Sequence, residues 1–596
     1  MTYRAPVRDM LFVMKELAGI DTVASLPGYE DAGYDTAAAV LEESAKLNEG
    51  VVAPLNWAGD QTPSSFKDGV VTTTPGFKQA FKQFAQGGWQ GLQHPVDFGG
   101  QGLPKLLQAA CIEMVNSASL SFALCPLLTD GAIEALLTAG SPEQKATYIP
   151  KMIDGSWTGS MNLTEPQAGS DLSTVRTRAE PQPDGTYKIF GTKIYITYGE
   201  HDMADNIVHL VLARVVGAPE GVKGISLFIC PKFLVGPDGS LGARNDVHCV
   251  SIEHKLGIKA SPTAVLQYGD HGGAQATLLG QENRGLETMF IMMNAARYGV
   301  GVQGIALAER AYQKAVQFAR DRVQSRPVDG STSGPAAIIH HPDVRRMLMT
   351  MRAHTEACRA MALVAAAASD AAHAHPDAEV RKQNHAFYEF LVPLVKGLST
   401  EMSQDVASLG VQVHGGMGFI EETGAAQYLR DAKILTIYEG TTAIQANDLV
   451  GRKTARDGGA VARGIAAQIE VTEGALNGRD SAACKTMAKR LGAGRRAFVD
   501  AVAFVAGGTK AQPNAVFAGS VPYLMLAGTV IAGWQMARAL MAAEDLLAAG
   551  QEPEFMQAKI ATARFYGDHI LNKATALRDS IVEGSDAVTA MSLESF

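Results

Sequence analysis

Arg430-Asp-Ala-Lys-Ile-Leu-Thr-Ile-Tyr-Glu-Gly-Thr-Thr-Ala-Ile-Gln445 sets a lone carboxylate, Glu439, where a largely apolar run (Ile434 to Tyr438) breaks into Gly440 and two threonines. A carboxyl at such a junction is expected to be partly desolvated. Desolvation disfavours the charged form and moves the pKa toward the range of a proton-abstracting base. Gly440 lets the backbone approach a ligand closely, while Thr441 and Thr442 offer hydroxyls and amides. Composition alone favours the plainer reading, a solvated glutamate at a helix end. What tips the balance is a second stretch far upstream, Asn162-Leu-Thr-Glu-Pro-Gln-Ala-Gly-Ser-Asp171.

Around these two stretches the bulk properties set limits. A chain of 596 residues exceeds one ordinary domain and should divide into several cores. Its 46% hydrophobic content and mean hydropathy of +0.02 indicate a globular protein. A net charge of -9 argues against a nucleic-acid surface. The six cysteines (Cys111, Cys125, Cys230, Cys249, Cys358, Cys484) are scattered, with no C-x-x-C pair. That pattern suits reduced, buried thiols in the cytoplasm and shows no metal-ligand spacing. The N-terminal stretch Met1 to Leu11 lacks an apolar signal core. The run Val521 to Trp534 is too short for a membrane span and reads as a buried helix.

Periodicity divides the chain. Residues 1–35 form a helical extension, with Val7, Leu11, Met14 and Leu17 at helical spacing. Residues 36–155 read as a mostly helical domain, with helices over 36–47, 75–84 and 103–128. Ser141-Pro-Glu-Gln144 carries the marks of a helix start. Between 156 and 283 the period changes to that of strands, over 186–197, 207–216, 224–235 and 264–268. Asp184-Gly185 provides a hairpin turn. Helical period returns over 284–455, in segments 286–323, 341–372, 379–409 and 423–437. A linker is expected over 451–459, and an added helical domain over 460–596. The fold class is therefore α+β and multidomain: helical domain, small β domain, helical bundle, and a further helical domain.

Thr164-Glu-Pro-Gln-Ala-Gly-Ser-Asp171 and Tyr438-Glu-Gly-Thr441, in this order, resemble the flavin-dependent acyl-CoA dehydrogenase family over about residues 35 to 455. The resemblance implies an FAD enzyme that removes a proton α and a hydride β to a thioester, giving a trans-2-enoyl-CoA. It implies Glu439 as the base. Met161, Leu163 and Thr164 would lie along the flavin, followed by Gly169 and Ser170, with Ser170 also near the CoA chain. Tyr195 stands where the family has a tryptophan, with Thr197 retained. Arg297 matches an arginine near the CoA portion. Ala296, just before it, stands where some members carry their base, which leaves Glu439 as the candidate. Arg322 and Gln324 would reach the FAD of a neighbouring subunit, and Gln412 and Gly416 would contact its adenine half. Thr441 would meet the flavin phosphates, while Tyr438 and Gly440 would border the substrate. Ala443 departs from the family's usual Gln, so Gln445 or Asn447 could supply that contact.

These matches imply a homodimer or higher oligomer, with electron-transfer flavoprotein as the electron acceptor. The added ends resemble a larger bacterial subgroup whose members act on 3-(methylthio)propanoyl-CoA or on straight-chain acyl-CoAs. The sulfur substrate is the reading preferred here. Two alternatives share the fold: an acyl-CoA oxidase, and a flavoprotein binding DNA through its C-terminal helices. For the second, Lys489-Arg490 and Arg495-Arg496 read better as solvated helix faces than as a basic patch.

Overall fold

The computed structural model describes residues 3–596. The N-terminal stretch folds as the helix Val7–Val13, extended by one π turn, Met14–Ala18; Met1 and Thr2 lie outside the described residues. Helices Tyr34–Leu47 and Phe77–Gln86 follow, with a short hairpin (Ser65–Lys67 and Val70–Thr72) that helical period did not suggest. The apolar run expected as one helix over 103–128 is two, Lys105–Ala118 and Leu120–Ala139. Ser119 stands extended between them and caps the second, its Oγ accepting the Phe122 N–H at 3.4 Å. At Ser141 the expected start is a full capping box: Ser141 and Gln144 each accept the other's backbone N–H.

The central domain is an eight-stranded, mostly antiparallel sheet. Its strands are β1 (Trp157–Asn162), β2 (Arg178–Pro181), β3 (Tyr187–Thr197), β4 (Asn206–Val215), β5 (Ile225–Pro231), β6 (Val247–Ile252), β7 (Thr263–Tyr268) and β8 (Ala274–Leu279). They are ordered β6-β7-β3-β8-β5-β4-β1, with β2 pairing both β3 and β4. Four of these escaped the sequence reading. β1 is buried at all six positions, so no alternation marks it. β2, β6 and β8 are short, and a few residues carry too little pattern. The segment expected as one strand over 224–235 divides at Lys232 into β5 and a piece, Phe233–Val235, that pairs with Leu241–Arg244.

Two long helices, Gly285–Asp321 and Ala378–His414, form the spine of the bundle, with Pro342–Ala374 beside them. Glycines set their separation. A Cβ at Gly301 would meet the Val395 carbonyl oxygen at 2.6 Å, and one at Gly304 the Ser399 oxygen at 2.5 Å. Only glycine permits that approach. The helix expected over 423–437 ends at Ala432 and tightens into a 3₁₀ turn, Lys433–Thr436, as the chain bends toward Glu439. The segment 451–459 is not a free linker. It runs on as a π turn, Gly451–Ala455, anchored by buried Thr454 against the Tyr523 hydroxyl at 3.0 Å and by a Lys453–Glu389 ion pair.

Six further helices (Ala460–Asn477, Ala482–Gly508, Pro513–Ala518, Ser520–Ala548, Pro553–His569 and Ala574–Val582) form most of the added domain. Leu120–Ala139 and Ser520–Ala548 are long and apolar enough to cross a membrane, yet both are mostly buried inside the protein. The bundle, the N-terminal extension and the added domain meet at a buried charge network. Arg359, 1% exposed, binds Glu113, Asp9 (2.8 Å) and Glu309 (2.7 Å). Lys559 of the added domain joins Asp9 (2.6 Å) to Glu356 (2.7 Å). Arg359 and Lys559 hold Asp9 near pKa 2 against the opposing effect of burial, whereas burial outweighs Arg359 at Glu113 and pushes that carboxyl up.

Removing one partner of such a network leaves charges buried without compensation. We expect Arg359→Met to lower stability by about 3–5 kcal/mol, read as a fall in the unfolding midpoint in denaturant. An unchanged midpoint would show that the network does not hold the two added ends to the bundle.

Candidate active site

The segment after Thr436 makes a tight, left-handed reversal. Glu439 has φ 56 and Gly440 φ 86. Left-handed backbone is uncommon for a residue with a side chain and persists where its surroundings impose it. Here the surroundings come from two helices. Lys396, on Ala378–His414, donates to the Leu435 and Gly440 carbonyls, each at 2.8 Å. Gln445, on the helix Thr442–Val450, donates to the Glu439 and Gly440 carbonyls at 3.2 and 3.3 Å. At φ 86 a side chain on Gly440 would be strained, and its Cβ would lie 2.8 Å from Gln445 Nε2, displacing the amide that holds the turn. The Glu439 N–H makes no backbone hydrogen bond among the described residues and is available to a ligand.

Glu439 is half-buried as a residue, and its carboxyl is desolvated by the surrounding protein. Burial raises its pKa to about 7, a rise moderated by the positive charges of Arg297 and Lys396. It therefore combines a conformation fixed by its neighbours with a proton affinity suited to a base at neutral pH. Arg297 is 3% exposed and lies 3.6 Å from Asp448. Its Nε has no hydrogen-bond partner among the described residues. Tyr438 turns inward and donates to Gln303, whose amide in turn donates to Asn116 at 3.0 Å. That hydroxyl is thus already engaged within the protein, and only the remainder of Tyr438 can border a ligand.

The upstream stretch hangs on a buried ion pair. Lys193, fully buried on β3, donates to Glu165 at 2.8 Å and to the Leu163 carbonyl at 2.8 Å. Glu165 also accepts the Arg176 and Thr177 amides at 2.7 and 3.1 Å and the Thr177 hydroxyl at 2.6 Å. Although burial opposes it, Lys193 and these donors hold Glu165 near pKa 2. Glu165 thus supports the loop, while Met161 is buried at the end of β1 and Leu163 and Thr164 are half-buried. Gly169 and Ser170 are exposed at the loop tip. On β3 the pairing with β7 slips, so that Ile194 and Tyr195 stand opposite Val265 alone. This bulge puts Tyr195 at φ 59 and leaves the residue 60% exposed, while Thr197 two residues on is half-buried.

The remaining predicted residues lie elsewhere on the bundle surface. Arg322 and Gln324 are exposed just beyond Gly285–Asp321, 3.5 Å apart, with the Gln324 carbonyl held by His341 at 2.8 Å. Gln412 and Gly416 are exposed at the end of Ala378–His414. Thr441 caps Thr442–Val450, its Oγ1 accepting from Ile444 N at 3.3 Å, and its hydroxyl hydrogen can still be donated. Gln445 is fully buried under the turn, so of the two residues suggested to replace the missing glutamine only exposed Asn447 faces outward.

These residues fit a cofactor with a flat ring and phosphates. Tyr195 is an exposed aromatic, and Arg322 an exposed arginine with a 3.5 Å contact to Gln324. At Gly169 and Gly416 a Cβ would meet nothing within 4 Å, so the chain's own packing does not demand glycine there. Sequence reading missed Lys396 and Gln303, both fully buried, and the inward role of Gln445. A lysine within an apolar helical run, Val392 to Leu398, was the available signal. Away from the site, the fold also gathers Asp246, His248 and His271, with ligand-type atoms within 4.8 Å of one another. No linear spacing announced that group.

Family models match four consecutive parts of the chain. Acyl-CoA dehydrogenase N-terminal, middle and C-terminal domains match residues 70–156, 160–270 and 283–453. An acetyl-CoA dehydrogenase C-terminal-like domain matches 462–592. The chain is 54% identical over 593 residues, all of both chains, to 3-methylmercaptopropionyl-CoA dehydrogenase of Ruegeria pomeroyi. It is 36% identical to the broad-specificity linear acyl-CoA dehydrogenase FadE5 of Mycobacterium tuberculosis, covering 97% of each chain. Among solved structures, an acyl-CoA dehydrogenase of Bacillus anthracis complexed with FAD superposes with a TM-score of 0.75 at 22% identity, covering 97% of this chain and 93% of that one. That likeness concerns the fold. The sequence identities over nearly the whole chain, with the family models, establish that this chain belongs to the acyl-CoA dehydrogenase family.

Proposed function

We propose that this enzyme oxidises 3-(methylthio)propanoyl-CoA to its trans-2-enoyl-CoA, with Glu439 as the base. The observation that carries the reading is the Glu439 turn: a single enclosed carboxyl, raised to about 7, in an imposed left-handed conformation. The choice of thioester follows the full-length relative from Ruegeria pomeroyi. A straight-chain substrate is the second reading, favoured by the Mycobacterium tuberculosis relative.

The α-proton of a thioester is too weakly acidic for an ordinary carboxylate acting alone. The Glu439 carboxylate, poorly solvated, would take that proton, and its own N–H, which makes no backbone hydrogen bond among the described residues, would donate to the thioester oxygen as negative charge develops there. Arg297 and Lys396 keep the base partly ionised near neutrality despite its burial. FAD, when bound, supplies the acceptor for the β-hydride. Met161, Leu163, Thr164, Gly169, Ser170, Tyr195, Thr197 and Thr441 would hold the flavin and its phosphates.

Arg322, Gln324, Gln412 and Gly416 would serve the cofactor of a second copy. Exposed Met417, Ile420 and Phe419 (86% exposed) beside Gly416 support a homodimeric contact there. Electron-transfer flavoprotein is the acceptor we assign, and the cytoplasm the compartment, in keeping with six buried free cysteines. In the added domain Arg490 pairs with Asp568, and Arg495 with Glu470 and Glu473, which disfavours a DNA-binding face.

Glu439→Gln should retain FAD absorbance while turnover falls by roughly 10²–10⁴-fold; turnover near that of the wild type would place the base elsewhere. Because the carboxylate must be unprotonated to act, kcat/KM should rise with pH and level off above about 7; a rate flat from pH 5.5 to 8 would contradict this base. Anaerobic dye reduction with methylthiopropanoyl, butanoyl, octanoyl and palmitoyl thioesters should give the highest kcat/KM for the first. A maximum at octanoyl or palmitoyl would select the straight-chain reading. Peroxide formed in place of dye or flavoprotein reduction would mark an oxidase.

A further inference from the structure

We propose that Lys396 is a positioning residue for the base: it locks the Glu439–Gly440 reversal in place and keeps a fixed positive charge behind the carboxylate. The inference rests on the reading of Glu439 as base and extends it to a residue on another helix.

A lysine with 0% exposure is costly unless its ammonium is paired or hydrogen-bonded. Among the described residues no carboxylate lies within ion-pair distance of Lys396 Nζ. It binds two carbonyls instead, Leu435 and Gly440, at 2.8 Å each. One precedes Glu439 and the other follows it, so a single ammonium spans the reversal. Glycines fix where that ammonium stands. Gly301 and Gly304 bring the two long helices into contact at Val395 and Ser399, which flank Lys396.

Of the charged groups around it, Glu439 is the carboxylate with the larger effect on it, ahead of Glu401. From Gly285–Asp321 comes Arg297, which pairs with Asp448 of Thr442–Val450; Arg452 pairs with the same Asp448 at 2.6 Å. From the helix of Lys396 itself come Glu401, which accepts the Thr442 hydroxyl, and Glu389, paired with Lys453. Glu439 and Glu401 have no ion-pair partner among the described residues; Glu401 accepts a hydroxyl hydrogen bond, while no donor reaches the Glu439 carboxyl among those residues. Burial pulls the Lys396 pKa down to about 8, opposed by the charges of Glu439 and Glu401, so the ammonium is still predominantly protonated where Glu439 titrates near 7.

Taking the charge away should raise the proton affinity of Glu439, and taking the two hydrogen bonds away should loosen its aim. In FAD-loaded enzyme, Lys396→Met should lower kcat by roughly 10²-fold, the scale of a small misplacement of a reacting group. KM for the thioester should change little, and the acid limb of the pH profile should move to higher pH. Lys396→Gln keeps an amide donor for the carbonyls without the charge. It should recover part of kcat while the limb stays displaced, and it decides the matter alone should the Met variant fail to retain FAD. Wild-type kcat and an unmoved limb in a flavin-replete variant would overturn the proposal. So would a loss of kcat with the limb unmoved in both variants, which is what a space-filling lysine would give. Failure of the base assignment is read separately, from wild-type turnover by Glu439→Gln.

Discussion

The site depends on one close packing contact. Two helices, Gly285–Asp321 and Ala378–His414, touch backbone to backbone because residues 301 and 304 carry no side chain. That contact lets the first helix present Arg297 and Gln303, and the second Lys396, beneath the same few residues of a distant segment. A wider separation would pull Lys396 away from the carbonyls on either side of Glu439. The reversal would then relax toward ordinary backbone geometry, and the carboxyl would gain water. Helix packing, backbone conformation and acidity are therefore linked here.

Both functional stretches use a buried lysine in the same way. Lys193 holds the Leu163–Glu165 segment through a carbonyl and a carboxylate, and Lys396 holds the Glu439 reversal through two carbonyls. In each case an irregular segment that cannot satisfy its own backbone takes donors from a rigid element nearby. The difference is chemical. Glu165 gives up its basicity to its many donors, while Glu439, with no direct donor on its carboxyl among the described residues, keeps a proton affinity near neutrality. Two glutamates of one chain are thereby set to opposite tasks by their surroundings. The added ends are joined to this core by the Arg359 and Lys559 network.

Much of the fold could be read in the sequence because long helices carry their own period. The segments around 286–323, 341–372 and 379–409 fold within a few residues of expectation. What could not be read was set by tertiary contact. β1 is buried on both faces and shows no alternation, and the break at Ser119 falls within an apolar run. Residues 451–459 carry linker composition yet are anchored by Thr454 and Lys453. At the site, Glu439 was legible because an acid beside glycine and threonines is chemically pointed. Lys396 was not, since only the fold brings it from more than forty positions away to Gly440. Tyr438 looked like a ligand-facing aromatic, but its hydroxyl turns toward Gln303.

The most direct test of the account separates proton removal from oxidation. Acetyl-CoA has an α-carbon but no β-carbon, so it can lose a proton to the base without being dehydrogenated. In D₂O, flavin-loaded enzyme should exchange deuterium into its methyl group, followed by NMR, faster as pD rises through about 7. That exchange should disappear in Glu439→Gln. Exchange that persists undiminished in the variant, or that is absent from the wild-type enzyme saturated with the thioester, would contradict the claim that Glu439 takes the α-proton.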